Sequence, residues 1–186
     1  MDLMWNGTDV LYMNKYPNVR FRFKAKIFVF RILVKVIDRF YSNRNWFIAE
    51  HLADELTLKQ PKHIYQPDLD LIDYGSEDHD GFNILLYAPK KKNVGFIHWL
   101  YGYDIYEILR DRLGSRVNWI LVDGSQDMSI IYPIVDFYIR PNRHDGWPYM
   151  VQECKKNNIP FYWTRENPEI HIEEMYNRIL MLLEGK

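Results

Sequence analysis

The chain has 186 residues, enough to bury a sizeable core, and its 47% hydrophobic and 26% charged residues are the balance of a globular protein. A net charge of -1 offers no global field for nucleic acid, and a single cysteine, Cys154, excludes an internal disulfide and any cysteine-cluster metal site. No basic start followed by an apolar run and a cleavage site marks a secretory leader, and the most apolar stretch, Ile27 to Ile37, is broken by Arg31 and Lys35 and is too short to span a bilayer, so a cytoplasmic protein is expected.

In chain order, Asn18 to Tyr41 reads mainly as a helix, with Arg31, Lys35, Asp38 and Arg39 on one face and a short strand end at Phe40-Tyr41. Between Lys15 and Arg44 there are nine basic residues and one acid, Asp38. Trp46 to Leu58 reads as a second helix and His63-Ile64-Tyr65 as a short strand. The stretch Gln66 to Gly81 is rich in turn formers and acids and reads as a loop, with Asp78-His79-Asp80 solvated. It divides the chain into residues 1–70 and 71–186.

Beyond that loop the pattern becomes regular. Strands are predicted at Phe82 to Tyr87, Asn118 to Val122, Phe137 to Arg140 and Pro160 to Trp163. Helices are predicted at Tyr103 to Leu113, Tyr149 to Asn157 and Glu169 to Leu183, with a short helix or turn at Asp127 to Ile134. Strands alternating with helices imply an α/β, Rossmann-like parallel sheet with helices on both faces. Such sheets bind ligands beyond the carboxyl ends of their strands, where the strand order reverses. The first 70 residues would form a partial helical or α/β segment. A dinucleotide fold is a distant rival, because no Gly-x-Gly-x-x-Gly follows Phe82 to Tyr87.

One stretch carries chemistry. Asp145 and Glu153 stand eight residues apart between the strand ending at Arg140 and the strand opening at Pro160. Eight helical residues rise about 12 Å, roughly the distance from a ribose across a diphosphate to a hexose. The helix following Gly146 would present unpaired N–H groups and a partial positive charge to a diphosphate. Asp145 would accept hydrogen bonds from sugar hydroxyls, and Glu153 would take those of a ribose. The plainer alternative is a polar loop with Asp145 as a helix N-cap and a solvated Glu153. Cys154, beside Glu153, is expected to be buried and inert.

This stretch resembles the Glu-x7-Glu motif of retaining GT-B glycosyltransferases, family 4 above all. Asp145, Gly146, Trp147, Glu153, Cys154 and the exit Asn158-Ile159-Pro160 follow that pattern, and Asp136 to Pro141 is similar to the strand before it. Asp145 replaces the usual Glu and Pro148 a Gly. The resemblance implies a nucleoside-diphosphate sugar as donor, with Asp145 and Glu153 as its central carboxylates and Gly146, Trp147 and Tyr149 around it. It also implies basic residues after the first strand of this domain, where Lys90, Lys91 and Lys92 stand. Fixed positive charge there would stabilise the departing diphosphate without a metal or other cofactor. Arg140 and Arg143 are further donor-binding candidates, or orient Asp145.

Trp5 to Val10 resembles the Gly-Thr/Ser-Asp loop late in the acceptor-side domain of such enzymes. The chain is therefore expected to begin inside that domain, with a second chain or another copy of itself supplying the acceptor side. The basic, apolar stretch Arg20 to Arg44 either lies on an anionic membrane at the inner face or packs on a sheet with a basic outer stripe. Two functions follow: transfer of a hexose with retention and without metal, or non-catalytic nucleotide-sugar binding by a subunit that needs a partner chain.

Overall fold

In the computed structural model the described residues are 3–5, eight helical positions from Phe28 to Arg39, and 45–47, 63–64, 70–88, 94–143, 148–164 and 167–185. They fall into two compact units, one within the first 69 residues and one made of residues 70–143 and 148–186. Each has a parallel sheet of its own.

In the first unit, β1 (Leu3–Trp5), β2 (Asn45–Phe47) and β3 (His63–Ile64) pair in that order. Met4 lies opposite Trp46, and Phe47 opposite Ile64. The helix expected from Trp46 is thereby corrected at its start: Trp46 and Phe47 extend because both edges of their strand are paired. Helical positions between Phe28 and Arg39 agree with the expected first helix, but its faces differ from expectation. Asp38 is buried, whereas Lys35 and Arg39 are exposed. Phe28, Val29, Ile32, Leu33 and Val36 are also exposed, so the outer face is apolar with basic residues beside it. The strand end expected at Phe40-Tyr41 and the rest of the second expected helix, residues 48–58, lie outside the described residues. No helix among the described residues is long and apolar enough to cross a membrane.

The second unit holds β4 (Asn83–Tyr87), β5 (Asn118–Val122), β6 (Phe137–Arg140) and β7 (Phe161–Trp163), all parallel, in the order β5-β4-β6-β7. Its helices are α1 (Val94–Leu100), α2 (Tyr103–Leu113), α3 (Tyr149–Lys156) and α4 (Ile172–Glu184). The period-two alternation of β4 sends Ile84 and Leu86 to one face and Leu85 to the other. The first face packs Phe137 and Ile139 against Ile105 and Leu109 of α2 and Met175 and Ile179 of α4. The second packs Tyr138 against Val151 and Cys154 of α3 and against Tyr132. Full burial of one such aliphatic side chain stabilises by roughly 1.5–3 kcal/mol. The connection from β5 to β6 is two 3-10 turns, Met128–Ile130 and Tyr132–Ile134, in place of a long helix.

The amino edge of this sheet carries a polar network. Asn83 donates to the carbonyl of Ile134 at 2.8 Å and accepts from Asn118 at 3.0 Å. Its backbone N–H donates to Asp136 at 2.7 Å, and His79 approaches the other Asp136 oxygen at 3.4 Å. Asp78 and Asp80 are exposed as expected, but His79 is not solvated, because its partner Asp136 holds it against the sheet.

At the carboxyl edge, the turn from α1 to α2 lies directly on the chain leaving β6. Gly102 has φ +66°, and a Cβ there would meet the carbonyl oxygen of Pro141 at 2.1 Å. Gly102→Ala should therefore lower the unfolding free energy by about 2 kcal/mol or more, combining left-handed strain with a backbone clash. Urea unfolding measures this, and a loss below about 0.5 kcal/mol would mean that the turn is not seated on Pro141.

Candidate functional site

The strand order creates a switch point. From β4 the chain moves to β5 on one side, then returns across β4 to β6 on the other. Open parallel sheets bind ligands beyond the carboxyl ends of their strands at such a switch point. Tyr87 closes β4 and Arg140 closes β6. Every sequence-predicted site residue lies in, or follows, one of these two strands.

Arg140 is half-buried at this edge. Its guanidinium donates to the Tyr138 hydroxyl at 3.1 Å, on the face where α3 packs. The Tyr138 hydroxyl in turn lies 3.8 Å from the sulfur of Met150 in the first turn of α3. Directly beyond β6, Asn142 is buried at 5% exposure. Tyr87 donates to the carbonyl of Asp123 at 3.4 Å and its ring packs on Tyr101 at 5.2 Å.

Arg143 has a different occupation. Its side chain is 4% exposed and is gripped from three sides. It donates to Asp104 of α2 at 2.9 Å, to Glu169 at 2.6 Å and to the carbonyl of Trp99. Its backbone N–H donates to the carbonyl of Leu100 at 3.0 Å. Burial pulls its pKa down, and the hydrogen bonds to Asp104 and Glu169 more than offset this, so the guanidinium is held charged. Arg143 lowers the pKa of Glu169, with Asn167 assisting. Its donors are committed to fastening α1 and α2 to the loop after β6, which separates it from Arg140.

Helix α3 begins at Tyr149, which is 46% exposed. Its N-cap is Pro148, not Asp145, and no side chain caps the first turn. Within that turn the Val151 N–H donates back to the Pro148 carbonyl at 3.1 Å, which leaves the Tyr149 and Met150 N–H groups for an external acceptor. Glu153 is half-buried and accepts a hydrogen bond from the Tyr132 hydroxyl at 2.7 Å. The solvated Glu153 of the plainer alternative does not describe this geometry, and Asp145 lies outside the described residues. Burial pushes the pKa of Glu153 up, and the Tyr132 hydrogen bond opposes that rise. Cys154 is buried, and its thiol is pushed up by burial and by the neighbouring Glu153.

Lys90, Lys91, Lys92, Asp145, Gly146 and Trp147 lie outside the described residues. Two residues of interest escaped sequence reasoning. Asn142 could have been flagged as a polar residue directly after a buried strand. Tyr132 offered no local signal, since its partner lies 21 residues away. A groove of about 680 Å³ opens along β7, lined by residues including Phe161, Trp163, His171, Glu174 and Arg178, and none of the predicted site residues lines it. The switch point is the candidate site: there Arg140 is linked through the Tyr138 hydroxyl to Met150 in the first turn of α3. No known protein-family model matches the chain, and no curated protein matches it in sequence.

The raised pKa of Glu153 has a consequence for stability. An acid whose folded pKa lies above its unfolded value contributes stability below the unfolded pKa and loses it as pH rises through the folded pKa. Ionised Glu153 therefore opposes folding at neutral pH. Glu153→Gln, which keeps an acceptor for Tyr132, should raise the thermal midpoint at pH 7, with the gain vanishing towards pH 4. Equal midpoints at both pH values would show that the carboxylate is not desolvated.

Proposed function

We propose that this chain binds a nucleoside-diphosphate sugar at the carboxyl edge of β4 and β6 and transfers its hexose, with retention, to an acceptor hydroxyl. The observation that supports this most is the sequence of groups leaving β6: Arg140 at the strand end, the uncapped first turn of α3, and half-buried Glu153 one turn further on. A helical side chain leans towards the N-terminus of its helix, so Glu153 leans towards that first turn. Glu153 would accept the ribose hydroxyls. Arg140 and the first amides of α3 would face the diphosphate, with Lys90, Lys91 and Lys92, which follow β4 in sequence, adding charge. Asp145 would accept from the hexose, with Gly146, Trp147 and Tyr149 contributing to its binding.

The chemistry follows from those charges. The bond from the anomeric carbon to the donor phosphate oxygen breaks, and one to the acceptor oxygen forms on the same face of the sugar. The acceptor proton passes to the departing phosphate oxygen. Negative charge grows on the diphosphate as that bond breaks, and fixed cations aimed at it lower the barrier. Arg140 and the lysines are the groups in this chain suited to that role.

Calorimetry against UDP, GDP and their sugars tests the site. One nucleotide should bind, and Glu153→Ala should weaken it by about 10–100-fold, the loss of hydrogen bonds to a charged group. Failure of both nucleotides to bind, or an unchanged Kd in the variant, would sink the donor-site reading. Binding without turnover, with turnover restored by a second polypeptide, would favour the non-catalytic subunit instead.

The exposed positions on the first helix support a partner. Phe28, Val29, Ile32, Leu33 and Val36 are each at least 44% exposed, in a stretch with nine basic residues and one acid. An apolar face among cations suits an anionic lipid surface, where each cation adds about 1 kcal/mol. The chain should float with vesicles containing phosphatidylserine but not with phosphatidylcholine alone, and Ile32→Asp should abolish flotation. Equal flotation with both would remove the electrostatic part of this reading, and flotation with neither would remove the whole.

A further inference from the structure

We propose that Tyr132, held by the segment Ile72 to Glu77, is the positioning residue that fixes the Glu153 carboxylate for a ribose. The inference rests on the donor-site reading above and extends it to residues far from the switch point in sequence.

Glu153 is gripped at both its ends. At the side chain, Oε2 accepts the Tyr132 hydroxyl at 2.7 Å. At the backbone, its carbonyl accepts from the Asn157 side-chain amide at 2.9 Å. Both grips lead to the same place. The Tyr132 ring stacks on Tyr74 with centroids 5.6 Å apart and planes 23° apart. Asn157 accepts from the Tyr74 backbone N–H at 2.6 Å and donates to the Ile72 carbonyl at 3.1 Å. The Glu77 N–H donates to the carbonyl of Pro133, the residue after Tyr132, at 2.8 Å. The segment before β4 thus closes a loop of contacts through Tyr132, Glu153 and Asn157.

That loop does more than pack. Tyr132 is 1% exposed, and its ring sits in the core cluster with Leu85, Tyr138 and Val151. A ring so fixed gives its hydroxyl one direction. A carboxylate with one oxygen tied in this way has its rotation about the terminal bond stopped, leaving Oε1 as the oxygen for a second donor. The hydroxyl also favours the ionised acid, opposing the upward push of burial. A ribose diol supplies two donors and no charge, so it needs an ionised and fixed acceptor. The titratable neighbours are Tyr132 and Cys154, both pushed above their ordinary ranges by burial. Neither titrates where a carboxyl does.

The test uses the full chain and Tyr132→Phe, which keeps the ring and removes the hydroxyl. Two readouts apply: the Glu153 carboxyl titration, assigned by NMR against Glu153→Gln, and calorimetry with the nucleoside diphosphate and its 2′,3′-dideoxy form. In the variant the Glu153 pKa should rise further. Affinity for the ribose form should fall about fivefold, the worth of a single hydrogen bond, while the dideoxy form should bind unchanged. Tyr74→Leu, which removes the stack and spares the hydroxyl, should move both readouts in the same direction by less. If Glu153→Ala weakens ribose binding but Tyr132→Phe alters neither the titration nor the ribose preference, the positioning proposal is overturned and the donor site stands. If wild type binds no nucleotide, or Glu153→Ala binds equally, both fall together.

Discussion

Pairing of β4 on both edges is the constraint on which the second unit depends. Ile84, Leu85 and Leu86 are each at most 1% exposed, so β4 must be covered on both faces as well as on both edges. Parallel pairing forbids tight hairpins, and each neighbour must be reached by a crossover. Placing the second strand on one side of the first and the third on the other puts consecutive crossovers on opposite faces. The first, through α2, covers the face of Ile84 and Leu86, and the second, with Tyr132, covers the face of Leu85. The switch point at the carboxyl edge is a by-product of that arrangement, because the strand order reverses between β4 and β6.

Such a site must be held in shape without being filled. Here its rear is fastened by Arg143 and Gly102. Arg143 reaches both α2 and the turn before α4 by carboxylates 39 and 26 residues away. Asp104 and Glu169 keep contact with water, while the guanidinium does not. Desolvating one charge against two partners is stable where a lone buried cation would not be. Gly102 permits the helix turn to approach the Pro141 peptide more closely than any side chain would allow. With that anchoring done by Arg143, Arg140 keeps its place at the strand end.

Local pattern made most of the second unit legible. The helix from Tyr103 to Leu113 was readable to the residue because Ile105, Leu109 and Leu113 recur at helical spacing and Gly114 ends it. The strand at Asn118 to Val122 was equally plain. Helix α1 was not foreseen, since Gly95 weakens its helical signal and a lysine run precedes it. In the first unit, β2 was taken for a helix start because three residues are too few for alternation to declare itself. Those strands owe their conformation to partners dozens of residues away. The acid at Glu153 and its helix were visible as a motif. The roles of Arg143, His79 and Tyr132 were not, because each is defined by a partner that sequence spacing cannot reveal.

The position of Glu153 argues for use rather than for stability. Its neighbours on α3, Val151 and Cys154, are wholly buried and satisfy the core by shape alone. A glutamine there would keep the Tyr132 hydrogen bond without the cost of a desolvated charge, and an aliphatic residue would suit the same half-buried surface. A carboxylate adds nothing to folding that these would not supply, and its raised pKa marks a small penalty at neutral pH. Burial disfavours its charge, and the Tyr132 hydroxyl is the donor that opposes this. An acid with a fixed donor, one helical turn from the start of α3, is an acceptor set close to a helix N-terminus. A ribose diphosphate carries the complementary pattern, hydroxyl donors at one end and anionic oxygens at the other, and it is the ligand class proposed for this edge.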